Sequence, residues 1–229
     1  MRIGALVLTA MLCAGSPVPL AIVEVTATAI CGADLFPFHG LTPGFEDGTI
    51  LGHEFAGVVA EVGPGVDGIR PGQRVVNASM ISDGTCSACR AGRPTQCSGR
   101  ALFGYSGVYP RLDGGQAGLV RVPNAGRTLQ VLPDEVSDEA AVFLADILPT
   151  GYIAVRRCDL PPRAVVCVVG CGPVGLMAVL CALPLAERGV RVAGIYRVAD
   201  QTDPYWFAEP LALALPISPV SAFSVSTAM

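Results

Sequence analysis

Cys31, His53, Glu54 and Asp146 offer sulfur, nitrogen and oxygen donors from three well-separated points of the chain. A catalytic zinc takes about three such protein ligands and keeps a further position open for water or substrate. Spacing alone leaves each residue two readings, because His53 also suits a core or loop histidine and Asp146 a solvated helix residue. Asp83, Cys86, Cys89 and Cys97 lie closer together. Cysteines scattered through a chain of this length point to metal ligands and buried thiols more than to a disulfide framework. A redox pair at Cys86 and Cys89 ranks lower, since no thioredoxin-like βαβ pattern surrounds it. The third constellation is Val168-Val-Gly-Cys-Gly-Pro-Val-Gly175, a G-x-G-x-x-G turn between an apolar strand and an apolar helix. In that context Gly170 permits a tight turn, Gly172 lets backbone N–H groups approach a pyrophosphate, and Gly175 lets helix pack on strand. Other chemistry is excluded: all fifteen basic residues are arginine, so Schiff bases and the P-loop lysine are absent, and the only histidines are His39 and His53.

The elements that must hold these residues fall into two regimes. From Ala21 to about Pro133, short β-like runs alternate with Gly/Pro turns: Ala21–Ala27, Phe55–Val62, Gln73–Val76 and Gly118–Val122. Such spacing predicts a small, irregular barrel. Ser137 then offers an N-cap to an apolar run through Leu148, with Asp138 and Glu139 in the first turn, where acids oppose the positive helix end. Beyond Pro162 the order is strand (Ala164–Val169), glycine turn, helix (Leu176 to about Arg188) and strand (Val190–Tyr196), the opening of a parallel α/β unit. Arg2 followed by the apolar run Ile3–Ala14 mimics a signal peptide and also reads as a first strand, Ile3–Thr9. The strand reading and the scattered cysteines favour a cytoplasmic protein. Pro216 and Pro219 break the uncharged tail after Glu209, so no membrane span is expected. At 229 residues, 52% hydrophobic and 15% charged, the chain can bury a core, and its net charge of -4 argues against a nucleic-acid surface.

Several further motifs occur in one order. Thr26–Leu35 with Cys31-Gly-Ala-Asp34, Pro43-Gly44, Leu51-Gly-His-Glu-Phe-Ala-Gly-Val-Val59, Glu61–Gly65 and Pro71–Val75 resemble the zinc-dependent medium-chain alcohol dehydrogenase family. Ala101–Ser106, Asp113-Gly-Gly-Gln-Ala117, Val120–Pro123 and Phe143–Tyr152 look like its branch containing glutathione-independent formaldehyde dehydrogenases. The resemblance runs, with interruptions, from about Pro19 to Val198. It implies an α/β protein: a GroES-like irregular β-barrel catalytic domain over 1–155, an incomplete Rossmann fragment over 156–198 and a divergent tail over 199–229. By resemblance, Cys31, His53 and Asp146 are catalytic-zinc ligands and Glu54 an exchangeable one. Asp34 would accept a hydrogen bond from the other His53 nitrogen and fix its tautomer. Asp83, Cys86, Cys89 and Cys97, at x2, x2, x7 spacing, resemble the family's structural-zinc lobe (about 83–97), with Asp83 where a fourth cysteine is usual. Gly170, Gly172, Pro173, Val174 and Gly175 would hold NAD or NADP. The implied reaction moves hydride between an alcohol or aldehyde and that cofactor.

The sequence also departs from the family. Ala33 stands where Ser or Thr usually receives the alcohol proton, Phe36 stands where a histidine often passes it outward, and His39 is the available substitute. Tyr196 occupies the usual place of the ribose-binding acid, and Arg197 beside it would tolerate a 2′-phosphate, which keeps both cofactors open. From Val165 onward there is room for two parallel strands and little else, whereas two βαβαβ halves need about six. The expectation is therefore a C-terminally truncated enzyme with little or no turnover of its own. Its exposed second strand would be prone to association, leaving a homo-oligomer or a partner chain open.

Overall fold

A computed structural model describes residues 18–170, 172–196 and 221–224, with residues 193–196 and 221–224 as backbone alone. The run read as signal peptide or first strand, Arg197 and most of the tail lie outside the described residues. The chain divides into two compact units, Met1–Asp146 and Ile147–Met229.

In the first unit the short β-rich runs become β1 (Leu20–Thr28), β2 (Phe55–Val62), β3 (Arg74–Asn77), β4 (Met80–Ile81), β5 (Ala101–Leu102), β6 (Leu119–Pro123) and β7 (Leu129–Val131). Five of them form one antiparallel sheet in the order β6-β1-β2-β3-β7, and β4 pairs with β5. Val23, Phe55, Val59, Val75, Phe103 and Val122 fill its core. The Phe55 and Phe103 rings meet edge to face at 5.2 Å, the arrangement their quadrupoles favour. β1 and β2 cross closely at Gly57, where a Cβ would stand 2.1 Å from the Glu24 carbonyl oxygen. Their register ends with Thr28 opposite Phe55. The residues that follow β1 therefore run beside those that precede β2, and Cys31 comes near His53 although the sequence separates them.

The helix Asp138–Ala145 starts where the sequence predicts, with Ser137 Oγ accepting the Ala140 N–H at 3.2 Å. Ala141, Val142 and Ala145 pack on Ala56, Val76 and Leu132. The apolar run does not continue to Leu148 as one helix: Asp146 leaves helical geometry (φ -145°, ψ -62°), and Ile147–Arg157 forms a second helix. Pro149 has no N–H to give the Ala145 carbonyl, so the ladder must break here. The break sets Asp146 apart from both helices.

Asp138 ties this helix to the sheet, accepting from Arg74 Nε at 3.0 Å and from the Thr26 hydroxyl. Those two partners, Thr26 first, hold its carboxyl below the ordinary range. The resulting stability is present above the unfolded value near pH ~4 and is lost as pH falls through the lower folded value. Asp138→Asn should remove about 1 kcal/mol at neutral pH and flatten the acid limb of the stability curve. Denaturant titrations at several pH values check this; equal acid slopes in both proteins would show that the pair contributes nothing.

In the second unit β8 (Val165–Val169) is the centre of a parallel sheet, with β9 (Arg191–Tyr196) on one side. The other side holds a third strand, β10 (Ser221–Ser224), which corrects the expectation of two. The helix predicted over Leu176–Arg188 begins at Pro173 and ends at Ala182, where a 3₁₀ segment Leu183–Arg188 takes over. Pro184 cannot donate within an α ladder and forces that change. The helix Ile147–Arg157 lies against Pro173–Ala182 through Gly151, where a Cβ would stand 2.6 Å from the Ala178 nitrogen. That contact places residues 147–155 with the second unit, whereas the sequence reading ends the first domain at 155. Among the described residues no helix is long and apolar enough to cross a membrane.

Candidate metal centre

Cys31 follows β1 in extended conformation and opens the 3₁₀ turn Gly32–Asp34. His53 and Glu54 immediately precede β2. Three contacts fix that approach: Ala29 N–H and the Thr28 hydroxyl donate to the Glu54 carbonyl at 3.1 and 3.0 Å, and Asn77 grips the chain from the other side. Asn77 Oδ1 accepts the Phe55 N–H at 2.8 Å while its Nδ2 donates to the His53 carbonyl at 2.8 Å. Asn77 is buried and brackets Glu54 as a neighbouring strand would. Sequence reasoning missed it; the only signal is a polar residue closing the apolar run Arg-Val-Val-Asn77.

The side chains so placed converge. His53 Nδ1 lies 3.2 Å from Asp34 Oδ1, and Asp34 Oδ2 accepts the Cys31 N–H at 2.9 Å. His53 Nε2 lies 3.4 Å from Asp146 Oδ2 and 3.8 Å from Glu54 Oε1. One donor atom each from Cys31, His53 and Glu54 falls within 4.8 Å of the others, and Asp146 joins through its contact with the ring. His53 and Glu54 are only 4% and 3% exposed, so water does little to screen this arrangement. Burial works against a charged His53, but hydrogen bonding to Asp146, Asp34 and Cys31 outweighs it and pushes the ring up to about 12. Burial pushes the Glu54 carboxyl up, with His53 opposing. Glu54 Oε1 is buried and has no hydrogen-bond partner among the described residues. Without metal the charged ring itself is the cation, with Nδ1 toward Asp34 and Nε2 toward Asp146; with the Nε2 proton lost, its lone pair would face the Glu54 and Asp146 carboxylates and the Cys31 sulfur. Acceptors so gathered repel unless a proton on Nε2 or a metal cation stands between them, and a buried acceptor left unpaired is costly. The donor set thus fits a divalent metal of the zinc type.

The other sequence-predicted ligands also assemble. Asp83, Cys86, Cys89 and Cys97 bring their donor atoms within 4.8 Å of one another. Asp83 Oδ1 accepts the Thr85 and Cys86 N–H groups at 2.6 and 2.9 Å, which holds its carboxyl well below the usual range. The Cys97 sulfur accepts the N–H groups of Asp83 and Gly99, each at 3.3 Å. Backbone hydrogen bonds from Cys89 and Ser98 draw the Cys86 thiol down to about 7, while burial pushes Cys89 up to about 11. Of the residues meant to move a proton, Ala33 offers none, Phe36 is half exposed, and His39 is exposed with its ring 5.2 Å from that of Phe38.

In the second unit Gly170 takes φ +109°, which only glycine adopts readily, and Gly172 caps the helix that Pro173 and Val174 begin. A Cβ on Gly175 would stand 2.0 Å from the Gly170 carbonyl oxygen, whereas one on Gly172 would meet nothing within 4 Å. The turn is therefore tight inside and open outside at Gly172, where a phosphate would approach the helix N-terminus.

The chain resembles known proteins over about three quarters of its length. It is 42% identical over 173 residues to zinc-type alcohol dehydrogenase B of Aspergillus flavus, covering 73% of this chain and 39% of that one. It is 35% identical over 186 residues to a glutathione-independent formaldehyde dehydrogenase of Pseudomonas aeruginosa, covering 76% and 46%. Its fold matches the alcohol dehydrogenase TADH from Thermus sp. ATN1 with a TM-score of 0.71 at 39% identity, covering 78% and 50%. The chain thus spans about half the length of the proteins it matches, or less. The alcohol dehydrogenase GroES-like domain model matches residues 20–134, the stretch that builds the sheet and carries Cys31, His53, Glu54 and the cysteine lobe, and the chain belongs to that family.

Proposed function

We propose that Cys31, His53 and Asp146, with Glu54 as an exchangeable ligand, hold a catalytic zinc in an oxidoreductase that moves hydride between an alcohol or aldehyde and NAD or NADP. The convergence of donor atoms from Cys31, His53 and Glu54, with Asp146 Oδ2 beside His53 Nε2 and the buried Glu54 Oε1 unpartnered, carries the reading. Zinc, when bound, supplies the Lewis acidity that lets an alcohol lose its proton near neutral pH. The chain's own residues prepare for this. Asp34 keeps a proton on His53 Nδ1 so that Nε2 presents its lone pair, the cysteine and carboxylates supply the negative charge a divalent ion needs, and the open face at Gly172 receives a pyrophosphate.

A second reading, a zinc-binding module without turnover, is favoured by Ala33 and Phe36, which put no hydroxyl or imidazole where the family relays the proton. Metal analysis and cofactor reduction separate the two. The protein should hold about two zinc ions per chain, and any reduction of NAD or NADP by short alcohols or formaldehyde, expected to be slow with Ala33 and Phe36 in the relay positions, should stop with a chelator and return with zinc. Zinc bound without turnover supports the module, and protein purified without zinc sinks both.

We further propose that the second zinc sits in the cysteine lobe and is the weaker of the two, because Asp83 gives an oxygen already engaged by two N–H groups where a thiolate would bind more strongly. Asp83→Cys should slow its release to a chelator. Equal release rates before and after the change would remove Asp83 from the metal.

A further inference from the structure

The hydrogen-bond chain behind His53 extends one residue beyond Asp34. Gln116 Nε2 donates to Asp34 Oδ2 at 3.1 Å and lies 3.5 Å from the Ala29 carbonyl oxygen. Both neighbours are acceptors, so the amide nitrogen must be the atom that faces them. The buried Asp34 carboxylate is then held on three sides, by Gln116 and the Cys31 N–H at Oδ2 and by His53 at Oδ1.

Local structure is built around this reach. Gly52, the residue before His53, takes φ +100°, and a Cβ there would stand 2.6 Å from Gln116 Cγ. Around it, the N–H groups of Gly114, Gly115 and Gln116 donate to the carbonyls of Ile50, Gly52 and Leu51 at 2.7, 2.8 and 3.0 Å. The missing side chain at Gly52 leaves the slot through which Gln116 passes to Asp34.

We propose that Gln116 is a positioning residue that acts on His53 through Asp34. By occupying Oδ2 it keeps Oδ1 aimed at Nδ1, and so keeps Nε2 aimed at the metal. Without it Oδ2 keeps only the Cys31 N–H, the carboxylate turns more freely about its last torsion, and the ring is held less firmly in one direction. The inference rests on His53 being a metal ligand.

The test follows release of zinc from the full chain to a chromogenic chelator, with Cys31→Ala assigning the kinetic phase that belongs to this centre. Gln116→Met keeps the side-chain length and removes the donor. It should speed that phase up to about 10-fold, the low end of the range for a ligand's direct partner, because Gln116 acts one residue further out, and leave the cysteine-lobe phase unchanged. Gln116→Asn, too short to reach Asp34, should do the same and serves if the methionine variant does not fold. In an Asp34→Asn background the Gln116 changes should add nothing, because the two residues act in series. A phase lost in Cys31→Ala but unchanged in the Gln116 variants would overturn this inference alone, as would undiminished acceleration in the Asp34→Asn background. No phase lost in Cys31→Ala would overturn the zinc reading beneath it.

Discussion

Replacing His53 by alanine is expected to release one zinc per chain and to cost roughly 3–5 kcal/mol of stability, the range for breaking a buried charged group away from its partners. The ring stands between Asp34 on one side and Asp146 and Glu54 on the other. Removing it takes away both the proposed metal ligand and the only group in the cluster that can be positively charged without metal. Three carboxylates and a cysteine would then face one another in a site where Asp34 and Glu54 are almost shielded from water. Elemental analysis of the purified variant gives the metal count, and denaturant titration gives the stability. A variant that keeps its full zinc, or that loses zinc with no loss of stability, would contradict the assignment of His53. Asparagine or glutamine at 53 should restore part of the stability without restoring the metal, since an amide can satisfy Asp34 but ligates zinc poorly.

The second large effect is a contrast between two glycines of one turn. Gly175→Ala drives a methyl group against the Gly170 carbonyl oxygen, a backbone atom that cannot swing aside, and should cost about 3 kcal/mol. Gly172→Ala places its methyl in open space at an ordinary φ of -72°, so the loss should be about 1 kcal/mol or less. The order reverses for the ligand, because the face left open at Gly172 is where a pyrophosphate would meet the helix N-terminus. Gly172→Ala should weaken NADH or NADPH binding about tenfold or more while the protein stays folded. Thermal unfolding measured beside cofactor fluorescence titration tests both halves. If Gly172→Ala binds both cofactors as tightly as the parent, the turn does not hold a pyrophosphate.

What is local could be read from the residues alone. Short β-like runs set between Gly/Pro turns predicted β2 at its observed bounds and β1, β3 and β6 to within a residue, because strand-forming residues and the turns that end them act over a few positions. Ser137 announced the helix it caps, and the order glycine, helix, strand after Val169 announced a parallel unit, since these follow from hydrogen-bond geometry over a few residues. The residue types at 31, 53, 54 and 146 showed which atoms could meet a metal, and the family resemblance indicated that they would. Where those atoms stand came from the packing of distant segments. That Cys31 faces His53 depends on the β1–β2 register and on the glycine at 57 that lets the strands approach. Asn77 behind the ligand loop, the break that frees Asp146, the slot at Gly52 and the unpartnered oxygen of Glu54 all arise from contacts between distant segments. Such contacts depend on how the whole core packs, and no short window of sequence records them.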